Sequence, residues 1–422
     1  MLLCKLVIFA LACCFIPTAC TSQKPAVKSG FEYRDVYLPE NTGKDVCKLS
    51  KQTALLNRVD NEWGIWGHNL EKVLGGKLPD DAYSMVDGKR NKTQLCFSSP
   101  VLFKKLSDWI VDNYGYETTT RFAVLPKDNK LCCTCDRCKK LGNTQENATS
   151  AVTDFVIRLS KKFPKHLFFT SFYHSTSVLP KKSLPKNVGI LVSAYTWQLR
   201  NEENEKSQTF KKQLNEILHL YNKVYIWDYV NNFEDYFTPF PCIALMQQRL
   251  AYYSEKGVKG VFFNGSGYDY SSFSDLKVYA LTELMENPNK DWKLIVREFF
   301  SENYPKSGKL LSDFWIEIEH NSLDRKKNLN LYSAVDEAIV EYLDPNRFVT
   351  FYDELGRMAE SVKGREGENL KKLYSALSLT RLEIAKLRGE KMQIPQALYN
   401  APSKIYSEEG WKVEDYIKKY GK

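Results

Sequence analysis

A (β/α)8 TIM-type barrel followed by a C-terminal helical region is the fold class this sequence predicts, and two observations predict it. From about residue 60 to 285, short β-rich runs alternate with amphipathic stretches, the mark of a parallel sheet with crossover helices. After about residue 286 the β-signal fades and the remaining stretches have helical period. The 422 residues suffice for one large α/β unit plus an accessory element.

In chain order, "MLLCKLVIFALACCFIPTAC" has one lysine, an apolar run too short to span a bilayer and small residues before Cys20. It reads as a lipoprotein signal peptide over 1–19, with "PTAC" placing the lipidated cysteine at Cys20. Residues 20–58 read as a tether and N-terminal segment, and 59–289 as the barrel. Its predicted strands are "EWGIWG" (62–67), "TQLCFS" (93–98), "TRFAVLP" (120–126), "HLFFTSFY" (166–173), "VGILVSA" (188–194), "KVYIWDY" (223–229) and "VKGVFFN" (258–264). An eighth would be short or missing. Between them lie helices such as 99–114, with Ser99 as N-cap, Pro100 in the first turn, and Leu102, Leu106 and Ile110 on one face. "DWKLIVREFF", "GKLLSDFWIEIE", "VTFYDELGRMAE" and "LKKLYSALSLTRLEIAKL" then give a helical region over 290–422. The net charge of +9 comes from scattered basic clusters with acids between them, which fits a solvated surface and speaks against a nucleic-acid stripe.

In a βα barrel the reacting groups sit on the loops after the strands. Those positions hold His68, Asp128, Tyr173, His174, Tyr195, Trp197, Asp228, Tyr229, Asn231, Asn232, Asn264, Tyr268 and Asp269, with Glu234 and Tyr236 close behind. Aromatic faces stack on pyranose rings while amides and carboxylates take hydroxyl hydrogen bonds, so this is a sugar-binding set. Glycoside hydrolysis uses two carboxyl groups, and Asp228 with Asp128 is the expected catalytic pair. A helix cap is the plain alternative for each acid; for Asp228 the next helix is expected near Pro241, too far for it to cap. Trp197 is either a stacking platform or barrel packing.

Of the 11 cysteines, four fall in "LCCTCDRC". Cys133, Cys135 and Cys138 form a C-x-C-x-x-C core tight enough for one zinc, with Cys96 the expected fourth ligand and Cys132 its competitor. A structural zinc is the preferred reading. Disulfides, which export permits, and free thiols are the alternatives. No cofactor is expected for catalysis, because a closed sulfur site leaves no open position for water.

"WGIWGHN", "LCFSSP", "DNKLCCTCDRC", "VYIWDYVNNFEDYFTPFP", "GVKGVFFNGSG" and "SDLKVYALTELMENPNKDW" together resemble the DUF4838 family. These are bacterial proteins allied by similarity to TIM-barrel glycoside hydrolases, notably α-glucuronidases. The resemblance implies a glycoside-hydrolase-like protein acting on a poly- or oligosaccharide, uronic-acid-containing ones among them, and the lipobox-like "PTAC" places it in the bacterial cell envelope. Many members carry a carboxylate after the last strand, where this chain has Phe263 and Asn264. A non-catalytic glycan-binding lipoprotein on the same scaffold is therefore the alternative.

Overall fold

Nine short segments are strands in the computed structural model, which describes residues 30–42, 50–197, 205–326 and 328–420. They are β1 (Tyr33–Tyr37), β2 (Trp63–Ile65), β3 (Tyr83–Val86), β4 (Lys89–Leu95), β5 (Arg121–Ala123), β6 (Leu167–Phe172), β7 (Val188–Ser193), β8 (Val224–Tyr229) and β9 (Gly260–Asn264). Seven form one curled parallel sheet in the order β1-β9-β8-β7-β6-β5-β2. The other two, β3 and β4, pair with each other as an antiparallel hairpin.

Three expectations are corrected here. "TQLCFS" is no barrel strand: its first three residues end β4, whose partner is the local β3, and the rest turns into the helix Pro100–Tyr114. The segment expected as a tether supplies β1, which pairs along its length with β9. The expected eight-stranded barrel is a seven-stranded sheet, and among the described residues no ladder joins its edge strands β1 and β2. Side chains and turns fill the seam instead. Asn57 bonds the backbone of Arg34 through both its N–H (2.6 Å) and its Oδ1 (2.9 Å), the Val59 N–H donates to Asp35 at 2.9 Å, and Tyr33 meets Trp63 edge-on at 5.8 Å.

The period of two sorts every strand into two faces. Tyr33, Trp63, Ala123, Phe169, Leu191, Tyr225 and Phe262 pack together inside the curl. Val36, Phe122, Phe168, Ile190, Ile226 and Val261 face the helices. Gly260 permits this: a Cβ there would lie 2.7 Å from the Tyr225 ring. Ser99 caps the helix Pro100–Tyr114 by accepting from Leu102 N, as expected. No helix among the described residues is long and apolar enough to cross a membrane; Cys20 and the signal segment lie outside them.

The C-terminal helices grip the sheet's own helices. Buried Glu319, in the helix Gly308–Asp324, accepts from Ile243 N at 2.7 Å and Ala244 N at 3.2 Å, so it caps the helix Ile243–Lys256 from another element. Tyr342 donates to the Pro239 carbonyl at 2.7 Å.

Candidate functional site

A cavity of about 270 Å³ opens at the C-terminal ends of the parallel strands, where such sheets carry their sites. β2 delivers His68; β5 delivers Asp128; β6 carries Ser171 and leads into Tyr173; β7 ends in Ser193 and leads into Tyr195; β8 contributes Trp227 and Tyr229; β9 ends in Asn264. Phe233, Tyr332 and Glu408 cover it from later in the chain.

The strand ends fix these groups by short contacts. His68 Nδ1 lies 2.5 Å from the Pro126 carbonyl, on the loop that carries Asp128. His174 Nε2 lies 3.3 Å from Asp128 Oδ1, and its ring packs on Tyr173 at 3.8 Å. His174 holds φ at +47°, a left-handed conformation uncommon outside glycine. Burial lowers its pKa below the usual histidine range, against the raising effect of Asp128. Tyr229 and Ser193 share a hydrogen bond of 3.1 Å. Tyr173 is raised well above the ordinary tyrosine value, first by burial and then by the charge of Asp128, with Glu408 adding to it, so both acids act on one hydroxyl. Tyr332 donates to the Glu408 carboxylate.

Of the residues expected at the site, His68, Asp128, Tyr173, Tyr195, Tyr229 and Asn264 line the cavity, and His174 stands beside it. Asp228 does not face it. Tyr225, Trp227 and Tyr229 take the inward positions of β8, so Asp228 points outward toward the helix Ile243–Lys256. There its carboxylate meets the Arg249 guanidinium at 2.6 Å and the Tyr253 hydroxyl at 2.7 Å, all three buried. It is neither a helix cap nor a rim acid but the partner of a buried cation. Trp197 resolves to packing: it stacks on Phe210 at 4.7 Å and lies under the Arg249 guanidinium at 4.3 Å.

Asn231 accepts from the buried Lys277 ammonium at 2.7 Å, and Asn232 bonds the Ser333 backbone through both ends of its amide. Tyr236 is buried with its N–H on the Tyr406 carbonyl, and Glu234 lies on the Tyr406 side. Asn232 and Tyr236 hold the loop after β8 against the C-terminal region, Asn231 ties it to the helix Ser274–Glu286, and none of the four lines the cavity. Sequence reading missed Glu408 and Tyr332, which no strand-end rule reaches. Arg249 did leave a signal: an arginine among Leu245, Met246, Leu250 and Tyr253 on the buried face of a helix requires a buried acid.

A sequence-family model described as "Domain of unknown function (DUF4838)" matches residues 18–315. The chain belongs to the DUF4838 family. No curated protein matches it. Among solved structures it is similar to a "GH138 enzyme targeting pectin rhamnogalacturonan II", at 9% identity and a TM-score of 0.39, over 84% of this chain and 71% of that one.

Beside the cleft, this DUF4838 chain gathers the sulfurs of Cys96, Cys133, Cys135 and Cys138 within 4.8 Å of one another. None of the six described cysteines forms a disulfide. Cys96 Sγ lies 3.8 Å from both Cys135 and Cys138. Four thiolates around one zinc, each at roughly 2.3 Å, would stand about 3.8 Å apart, so the donor set fits a tetrahedral ion. Hydrogen bonds from Cys133 and Cys138 hold the Cys96 thiol well below its ordinary range, so one thiolate is already favoured. Cys132 is excluded, its Sγ turning to the Lys130 carbonyl. The four could hold a metal, and Cys96 is the fourth member.

Proposed function

We propose that this protein binds a saccharide in the cavity at the strand ends and acts on a glycosidic bond there, with Asp128 and Glu408 as the carboxylate pair. The observation that carries this is the convergence of Tyr173, Tyr195, Tyr229 and Tyr332 with His68, Asn264 and two carboxylates in one cavity. Aromatic faces would take the apolar faces of the sugar, and the amide, hydroxyl and imidazole groups its hydroxyls. His174 and Tyr173, which flank Asp128, would orient it. The four cysteines would hold a structural zinc, closing the turn beside the Asp128 loop.

A second reading, non-catalytic glycan binding, is favoured by one observation: the Asp128 side chain is 57% exposed, whereas a general acid works from an apolar setting. Calorimetric binding and product analysis on one panel of neutral and uronic-acid saccharides decide between them. Turnover lost in Asp128→Asn and Glu408→Gln supports hydrolysis; binding without turnover supports the second reading; no binding to any saccharide overturns both. We propose further that the protein is exported to a bacterial cell envelope and anchored through a lipid on Cys20. Cys20→Ala should then leave the membrane fraction, and a variant that stays there after a high-salt wash sinks the idea.

A further inference from the structure

The cavity at the strand ends does not stop at Tyr195. Tyr195 and Tyr229 line it on one side, and on the other they line a second cavity of about 490 Å³, walled by Thr196, Trp197, Lys206 and the segment Asn328 to Leu331. The Tyr195 ring, 44% exposed, meets the Tyr229 ring at 5.7 Å and 73°, so one tyrosine leans on the other as a partition between two compartments. The first compartment, about 270 Å³, is smaller than the roughly 300–1,000 Å³ of pockets that enclose whole small ligands. Past the partition the second cavity begins, so a longer molecule can continue there.

Resting on the saccharide reading above, we propose that the cleft takes an oligosaccharide of at least two units that runs over Tyr195, one unit in each compartment. The second compartment has the chemistry for it. Thr196, Asn328, Asn330 and Lys206 offer hydroxyl, amide and ammonium groups to sugar hydroxyls, while the exposed ring of Tyr195 supplies apolar surface. Its base is stiff, because the buried pair of Asp228 and Arg249 lies beneath it and Arg249 also donates to the Trp197 carbonyl at 2.6 Å. An exposed tyrosine at the junction is a stacking platform on which a chain, but not a monosaccharide, uses both sides.

The test is calorimetric affinity of the full chain for two series: xylose, xylobiose and xylotetraose; and galacturonic acid, its dimer and its tetramer. In the series that binds, the dimer or tetramer should bind at least tenfold tighter than the monomer. Thr196→Trp and Lys206→Trp, which fill the second compartment, should each remove that gain and leave the monomer Kd within about twofold. Equal affinity for monomer and tetramer, or a gain that survives both substitutions, overturns the two-compartment cleft and leaves the saccharide reading standing. Absence of binding in both series overturns the two together.

Discussion

Removing one member of a buried ion pair leaves the other charged and unsolvated, so Asp228→Asn should destabilise the fold by about 3–5 kcal/mol through Arg249. Thermal and urea unfolding measure it; a variant within about 1 kcal/mol of wild type, a typical single-substitution effect, would return Asp228 to a role outside the fold. Asp128 is the opposite case, exposed and paired with His174 at the cavity mouth. Asp128→Asn should leave the melting temperature unchanged and, if hydrolysis is the reaction, lower kcat on the order of 10²–10⁴-fold. Asp35 carries a pH signature. Burial pushes its pKa up to about 7, while Tyr33 OH, Asn41 Nδ2 and Val59 N each donate to it at 2.9 Å. An unfolded aspartate titrates near roughly 3.9, so between about pH 4 and 7 the folded chain holds the extra proton and stability falls as pH rises. The loss should be on the order of 2–4 kcal/mol, and Asp35→Asn should be flatter across that window. Equal slopes for the two proteins would show that Asp35 stays ionised at the seam.

At the scale of elements, the loop after β5 joins the cysteine turn to the cleft. Gln94, in β4, accepts from Lys127 N at 2.9 Å and donates to the Lys127 carbonyl at 3.1 Å and Asn129 Oδ1 at 3.0 Å, on either side of Asp128. The same hairpin feeds Cys96, and Met85 N donates to Cys133 Sγ at 3.2 Å. A zinc held there would therefore fix both ends of the Asp128 loop. Purified protein should carry about one zinc per chain, and chelation or Cys138→Ser should lower both the melting temperature and saccharide affinity. Metal-free protein whose four thiols react freely with a thiol reagent, with the fold unaltered, would end the zinc assignment.

Across the whole molecule, the helical region after residue 290 is not held at arm's length. Glu319 caps a helix of the sheet layer, Thr238 and Thr380 share a buried hydrogen bond of 2.9 Å, and Glu408 reaches the cleft because its N–H bonds the Phe233 carbonyl at 2.9 Å. Loss of Glu319 alone would strand two buried N–H groups. Unfolding should thus be a single cooperative transition by calorimetry, and residues 1–289 expressed alone should not fold. Two separated transitions, or a soluble 1–289 fragment with native circular dichroism, would show two independent units.

The parallel strands β2 and β5 to β9, the capped helix after Ser99, the four-cysteine set and half of the cleft were legible in the sequence, because each rests on local periodicity, a cap or a short spacing. β1 was not, since "YRDVY" is a strand only because the free edge of β9 accepts it and Asp35 finds donors across the seam. "TQLCFS" had the pattern of a buried strand, but its partner was fixed by a tight turn from β3. The side on which Asp228 lies was decided by alternation from Tyr225 and Trp227, whose bulk fills the inside of the curl, and by Arg249 waiting outside. Glu408 enters the cleft only when the C-terminal segment docks on the loop after β8. Local sequence determines which groups can end a strand; which way they face, and what comes to meet them, is set by packing between elements distant in the chain.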